Sequence, residues 1–114
     1  MVLSAEDMTD YIEYYDIDSN PITFDDWVRI MSEANKNDID IKRIAYDKIG
    51  DVEASTVWLG LNHAWNPDSP PLIFETMVFG GDDDGWQDRY STKEQAQTGH
   101  NLVVMKIRTG QSLK

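Results

Sequence analysis

Two runs of strand-forming residues, Ala54–Leu61 and Leu72–Phe79, dominate the middle of the chain, and Asn62 to Pro71 joins them with Pro67, Pro70 and Pro71. Both runs are rich in the β-branched and aromatic side chains that pack well on a pleated surface. Proline has no amide hydrogen to give to a ladder, so the joining stretch does not continue either strand. The fold is therefore built around an antiparallel pair, and a second layer must cover the apolar face of that pair.

The flanking segments supply that layer. Tyr11–Ile17 reads as a strand, ended by the turn chemistry of Asp18-Ser19-Asn20-Pro21. Thr23 lies three residues before Asp26, a capping-box-like start, with Ile22 and Trp27 at the staple positions. Trp27, Ile30, Met31 and Ala34 then make one apolar helical stripe that ends near Asn35–Asn37. Residues 39–48 mix apolar and charged side chains as a further strand, and Gly50-Asp51 turns the chain. Gly80 to Gly85 is a loop. Ser91 with Glu94 makes a second capping box, and Ala96, His100, Val103, Val104 and Ile107 line the apolar side of the helix that follows. The predicted fold is α+β in two layers, an antiparallel sheet of about four strands with two helices, in the order β-α-β-β-β-α. One core suits 114 residues. The domain spans 10–109, with a flexible N-terminus over 1–9 and a flexible tail over 110–114.

Pairing Leu61 opposite Leu72 sorts the side chains of the two strong strands. Val57, Leu59, Leu61, Leu72, Phe74 and Val78 fall on the face the helices cover. Thr56, Trp58, Gly60, Ile73, Glu75, Met77 and Phe79 fall on the other. Large apolar groups around a carboxylate on an uncovered face mark an interaction surface or a dimer interface.

Charge is distributed unevenly. Residues 1–28 carry Glu6, Asp7, Asp10, Glu13, Asp16, Asp18, Asp25 and Asp26 with no Lys or Arg, a charge of −8, whereas residues 29–114 set 13 acids against 10 bases, a charge of −3. Such a leading segment repels nucleic acid and favours a basic partner surface. No clustered basic patch points to direct nucleic-acid binding. The chain has no apolar run long enough for a membrane span and no secretory signal at its start, so a cytoplasmic location is expected. With zero cysteines there is no disulfide and no Cys-ligated metal centre.

Candidates for chemistry are sparse. His63, Glu75 and His100 compose a conceivable metal or acid–base set, and the Asp82–Asp84 loop could hold a weak calcium or magnesium ion, together the basis of an alternative reading as a metal-binding protein or metal-dependent hydrolase. Asp16-Ile17-Asp18-Ser19-Asn20 begins like a calcium loop, but Pro21 and Trp27 stand where its glycine and bidentate Glu belong. Asp82-Asp83-Asp84 is a solvated acidic loop. No phosphate-binding loop and no nucleophile elbow occurs. No catalytic residue and no cofactor is expected.

The segments Ser55-Thr56-Val57-Trp58-Leu59-Gly60-Leu61-Asn62-His63, Pro70-Pro71-Leu72-Ile73-Phe74-Glu75-Thr76-Met77-Val78-Phe79-Gly80-Gly81 and Arg89-Tyr90-Ser91-Thr92-Lys93-Glu94-Gln95-Ala96, with Gly99-His100, resemble a family of small bacteriophage and prophage proteins. The resemblance covers about residues 10–108 and implies a phage origin, with no chemistry to transfer. Together these features predict a phage-encoded protein-binding module in the host cytoplasm, in its sharper form an anti-CRISPR-like inhibitor of host defence. Its partner would be a host protein with a basic surface, bound through the eight leading carboxylates and through Trp58, Glu75, Met77 and Phe79. A virion or assembly accessory protein, homodimeric through the Trp58–Phe79 face, is the further alternative.

Overall fold

A computed structural model describes residues 14–36, 42–64, 66 and 68–114. In chain order the elements are β1 (Tyr14–Tyr15), β2 (Pro21–Ile22), α1 (Phe24–Lys36), β3 (Arg43–Ile49), β4 (Val52–Trp58), β5 (Phe74–Phe79), β6 (Gln87–Tyr90) and α2 (Lys93–Arg108). Strands β3 to β6 form an antiparallel four-stranded sheet in sequential order, and β1 pairs with β2 in a small sheet of its own. The class is α+β, as the sequence predicts. Membership of the main sheet differs, because the leading strand folds onto Pro21–Ile22 and the fourth place goes to Gln87–Tyr90. That last stretch lacks the apolar alternation that marks a strand in sequence.

Local hydrogen bonds explain where elements begin and end. The Asp16 carboxylate accepts the amides of Asp18 at 2.9 Å and Asn20 at 2.8 Å, closing the β1–β2 connection as an Asx turn. At the head of α1, Thr23 Oγ1 accepts the Asp26 amide at 3.1 Å and Asp26 accepts the Thr23 amide at 3.4 Å, the predicted reciprocal box. The α2 box sits one residue later than Ser91 and Glu94 would place it. Thr92 is the N-cap, and its side chain accepts the Gln95 amide at 3.1 Å while Gln95 accepts the Thr92 amide at 3.2 Å. The helix closes with Gly110 donating to Ile107 at 3.2 Å and Gln111 to Lys106 at 2.8 Å, the paired bonds of a Schellman motif. Beyond it Leu113 packs on the core and gives its amide to Asp83, so residues expected to form a loose tail are docked.

Register decides what is inside. Ala54 pairs with Val78, Thr56 with Thr76 and Trp58 with Phe74. Directly opposed residues share a face, so these six side chains point together, and all six are buried. For β4 this overturns the predicted sorting by one residue, which exchanges its two faces, whereas Phe74 and Val78 of β5 lie on the covered face as expected. Its cause lies just past β4. Leu59 and Gly60 both donate to the Ile73 carbonyl, at 2.7 and 3.4 Å, so two residues there stand against one. A register counted from Leu61 and Leu72 is out by one beyond that point, and Leu61 itself bridges to Tyr14.

Two apolar clusters fill the space between sheet and helices. Trp58, Ile73, Phe74 and Ala96 form one, against Trp27, Ile30 and Met31 of α1. Ala54, Val78, Val103 and Val104 form the other, against Ile107 and Leu113. Fully burying side chains such as Phe74 or Ile73 contributes about 2–3 kcal/mol each. Both indoles are pinned, Trp27 Nε1 donating to Leu59 at 3.1 Å and Trp58 Nε1 to Tyr15 at 3.1 Å. Gly60 allows that crossing. Its φ is +74°, and a Cβ there would meet Trp58 at 2.6 Å and Trp27 at 2.7 Å.

Candidate functional site

The main sheet carries its helices on one side. Its other face is built by alternation from Arg43, Tyr46 and Lys48 of β3, Glu53, Ser55 and Val57 of β4, Glu75, Met77 and Phe79 of β5, and Gln87 and Arg89 of β6. The predicted binding residues Glu75, Met77 and Phe79 are therefore together on a face that no described helix or strand covers, with Phe79 45% exposed. Trp58 is not with them. It is 2% exposed, in the core beside Phe74, because of the register described above, and it is removed from the binding set. Several charges on this face have partners on it. Arg89 Nε donates to Glu75 at 3.0 Å, Tyr46 bonds Glu53, and the Arg43 guanidinium lies 4.6 Å over the Tyr46 ring. The bond to Glu53 raises the Tyr46 pKa. Arg43, Lys48 and Arg89 against Glu53 and Glu75 make the face slightly cationic, whereas the chain carries −11. None of the described leading carboxylates, Asp16, Asp18, Asp25 and Asp26, belongs to this face.

The second surface surrounds the start of α1. Glu6, Asp7, Asp10 and Glu13 lie outside the described residues. Asp16 and Asp26 are tied into the turn and the cap, and Asp26 also meets Arg29 at 3.0 Å. Hydrogen bonds from Thr23, and then the Arg29 charge, hold the Asp26 carboxyl below the ordinary range. Asp18 and Asp25 are exposed. Among them stands a feature the sequence pattern did not single out. Phe24 is 54% exposed although its ring meets Tyr14 at 5.5 Å and Trp27 at 6.2 Å, and Val28, one turn on, is 39% exposed. An aromatic side chain held in place by neighbouring rings but open to solvent is a preformed anchor.

His63, Glu75 and His100 do not converge. Glu75 points to the uncovered face, and His100 bonds a side chain on the helix-covered face. Among the described residues no group of three His, Cys, Asp or Glu side chains gathers as metal ligands. In the loop after β5, Asp84 accepts the Gly80 amide at 2.7 Å and Asp83 the Leu113 amide at 3.2 Å, so these carboxylates serve the protein's own backbone.

His100 belongs to a different constellation. It is 0% exposed, as are Thr56 and Thr76, and the three form a polar layer between the two apolar clusters. Thr76 and Thr56 hydroxyls meet at 2.5 Å, Thr56 meets His100 Nδ1 at 2.7 Å, and His100 Nε2 meets Asp47 Oδ2 at 2.8 Å. Tyr90 adds its hydroxyl to Thr76 at the inner end, with a pKa raised chiefly by burial. A carboxylate only accepts, so Nε2–H donates to Asp47, and in the neutral imidazole Nδ1 then accepts from Thr56. The ends of the chain fix its direction. The sequence contained one hint of this layer, a threonine inside each strong strand where an apolar residue is ordinary. Asp47 lay in the mixed segment and carried no signal.

Among the described residues no helix is long and apolar enough to cross a membrane. Comparisons with family models, curated proteins and solved structures find no match.

Proposed function

We propose that this chain is a bacteriophage-encoded protein-binding module that acts in the host cytoplasm by occupying a host protein, in its sharper form an anti-CRISPR-like inhibitor of a nucleic-acid-binding defence effector. The observation that carries the reading is the exposed, ring-stacked Phe24 with Val28 among Asp18, Asp25 and Asp26. An apolar anchor inside a charged rim is the anatomy of a binding hot spot. The carboxylates would compete with phosphates for the Lys and Arg of a nucleic-acid groove, giving an on-rate that falls with salt. The resemblance to phage proteins supplies the setting.

The test uses purified RNA-guided effector complexes, the protein in stoichiometric amounts, and DNA cleavage together with complex formation at about 0.05 and 0.5 M salt. Inhibition at low salt that weakens at high salt, and that Phe24→Ala and Asp25→Asn reduce, supports the reading. If no effector is bound even at low salt, the inhibitor form is wrong.

A second reading rests on the uncovered sheet face, where Phe79 and Tyr46 are exposed beside paired charges of both signs. A second copy of the chain would bury this face, as in an assembly accessory protein. Light scattering at high concentration decides it, since a strict monomer excludes the homodimer.

A further inference from the structure

A groove of about 470 Å³ runs between the edge strand β3 and helix α2, lined by Asp47 on one wall and by Asn101, Val104, Met105, Arg108 and Thr109 on the other. We propose that this groove is a binding site for a small zwitterion of the amino-acid class with an aliphatic body.

The His100–Asp47 bond joins the two walls, and behind it Thr56, Thr76 and Tyr90 hold the imidazole. Burying an imidazole and two hydroxyls sacrifices hydration that their mutual hydrogen bonds roughly replace, so an apolar layer would serve the core as well. What the polar chain adds is a carboxylate of fixed orientation at the surface. Asp47 is 41% exposed, its Oδ2 is committed to His100, and its Oδ1 has no partner among the described residues. That oxygen is a placed acceptor for an ammonium group.

The opposite wall has complementary chemistry. Arg108 has no ionic partner among the described residues. The Asn101 side-chain oxygen accepts from Gln97 at 3.0 Å, which leaves its amide N–H groups to donate. A guanidinium and an amide donor suit a carboxylate. Between the polar groups lie the Met105 side chain, in a residue 49% exposed, and Val104. Met is an adaptable surface for an aliphatic group. A plain anion meets a protein of charge −11, and a plain cation meets Arg108, whereas a zwitterion satisfies both walls without net charge.

The site lies apart from the Phe24 surface, so it stands or falls independently of the partner-binding proposal. The test is amide NMR titration with leucine, alongside 3-methylbutylamine, which lacks the carboxylate, and 4-methylpentanoate, which lacks the ammonium. Expected are saturating shifts at Asp47, Asn101, Met105 and Arg108 with leucine at about millimolar concentration, and about tenfold or greater weakening for either truncated analogue. Asp47→Asn, which keeps an acceptor for His100, and Arg108→Gln should each weaken leucine by a similar factor in a protein with an otherwise unchanged spectrum. No saturable shift up to about 20 mM leucine, equal response to the amine alone, or undiminished affinity in Asp47→Asn would each overturn the proposal.

Discussion

Replacing Thr56 by Val tests the buried polar layer most sharply, because the two side chains have nearly the same shape and no cavity forms. The change breaks two bonds, to Thr76 at 2.5 Å and to His100 Nδ1 at 2.7 Å. Thr76 keeps Tyr90, but Nδ1 loses its donor in a residue that is 0% exposed. An acceptor stranded in that environment costs about 1–3 kcal/mol, lessened somewhat by the gained methyl group. Thr76→Val leaves the imidazole its donor, because Thr56 still bonds Nδ1, and it releases only the hydroxyl of Tyr90, a half-buried residue. It should cost less than about 1 kcal/mol. The triple variant Thr56→Val, Thr76→Val, His100→Leu removes the three fully buried members of the layer and leaves Asp47, which is 41% exposed and can be hydrated, and the half-buried Tyr90. Its stability should return to within about 1 kcal/mol of the parent, since replacing a whole buried polar network is far less damaging than breaking it. Urea unfolding followed by circular dichroism gives all three values. If Thr56→Val costs no more than Thr76→Val, or the triple variant is the least stable of the three, the layer is not the connected chain described above.

Other perturbations address separate features. Gly60→Ala combines a positive φ with contacts of 2.6–2.7 Å to two indoles and should destabilise by about 2–4 kcal/mol in thermal melts. Gly50→Ala, where a Cβ meets nothing within 4 Å, should cost about 1 kcal/mol. Asp26 has a folded pKa below its ordinary value, so its stabilising effect is present above the ordinary carboxylate range and is lost as the pH falls through the depressed value. Urea midpoints of Asp26→Asn should therefore vary less with acid pH than those of the parent. Thr23→Ala removes the reciprocal cap and should cost about 1 kcal/mol. Phe24→Ala should leave the urea midpoint nearly unchanged, since the residue is 54% exposed, while binding to any partner of the acidic surface falls at least about tenfold in a direct titration.

Features that depend on neighbours in sequence were legible without the structure. The α1 cap of Thr23 and Asp26, the stripe of Trp27, Ile30 and Met31, the buried positions of α2 and the α+β class follow from spacing alone. The box at α2 was displaced by one residue because Ser91-Thr92 and Glu94-Gln95 offer two overlapping pairs, and both satisfy the local rule. Three-dimensional packing had to choose between them.

Tertiary structure alone decided which sheet face is buried. Strands have a period of two, so the extra residue where Leu59 and Gly60 meet Ile73 exchanges inside for outside, and no local pattern in a proline-rich connection reports that residue. Hence Trp58 moved into the core while Glu75, Met77 and Phe79 stayed out. The same choice made a partner of His100 out of Asp47, 53 positions away. Composition established a strongly acidic chain with an acidic front, but only the folded arrangement gathered Arg43, Lys48 and Arg89 with Glu53 and Glu75 on one slightly cationic sheet face. Charge is additive along a sequence, whereas a surface is made by which side chains the register turns toward water.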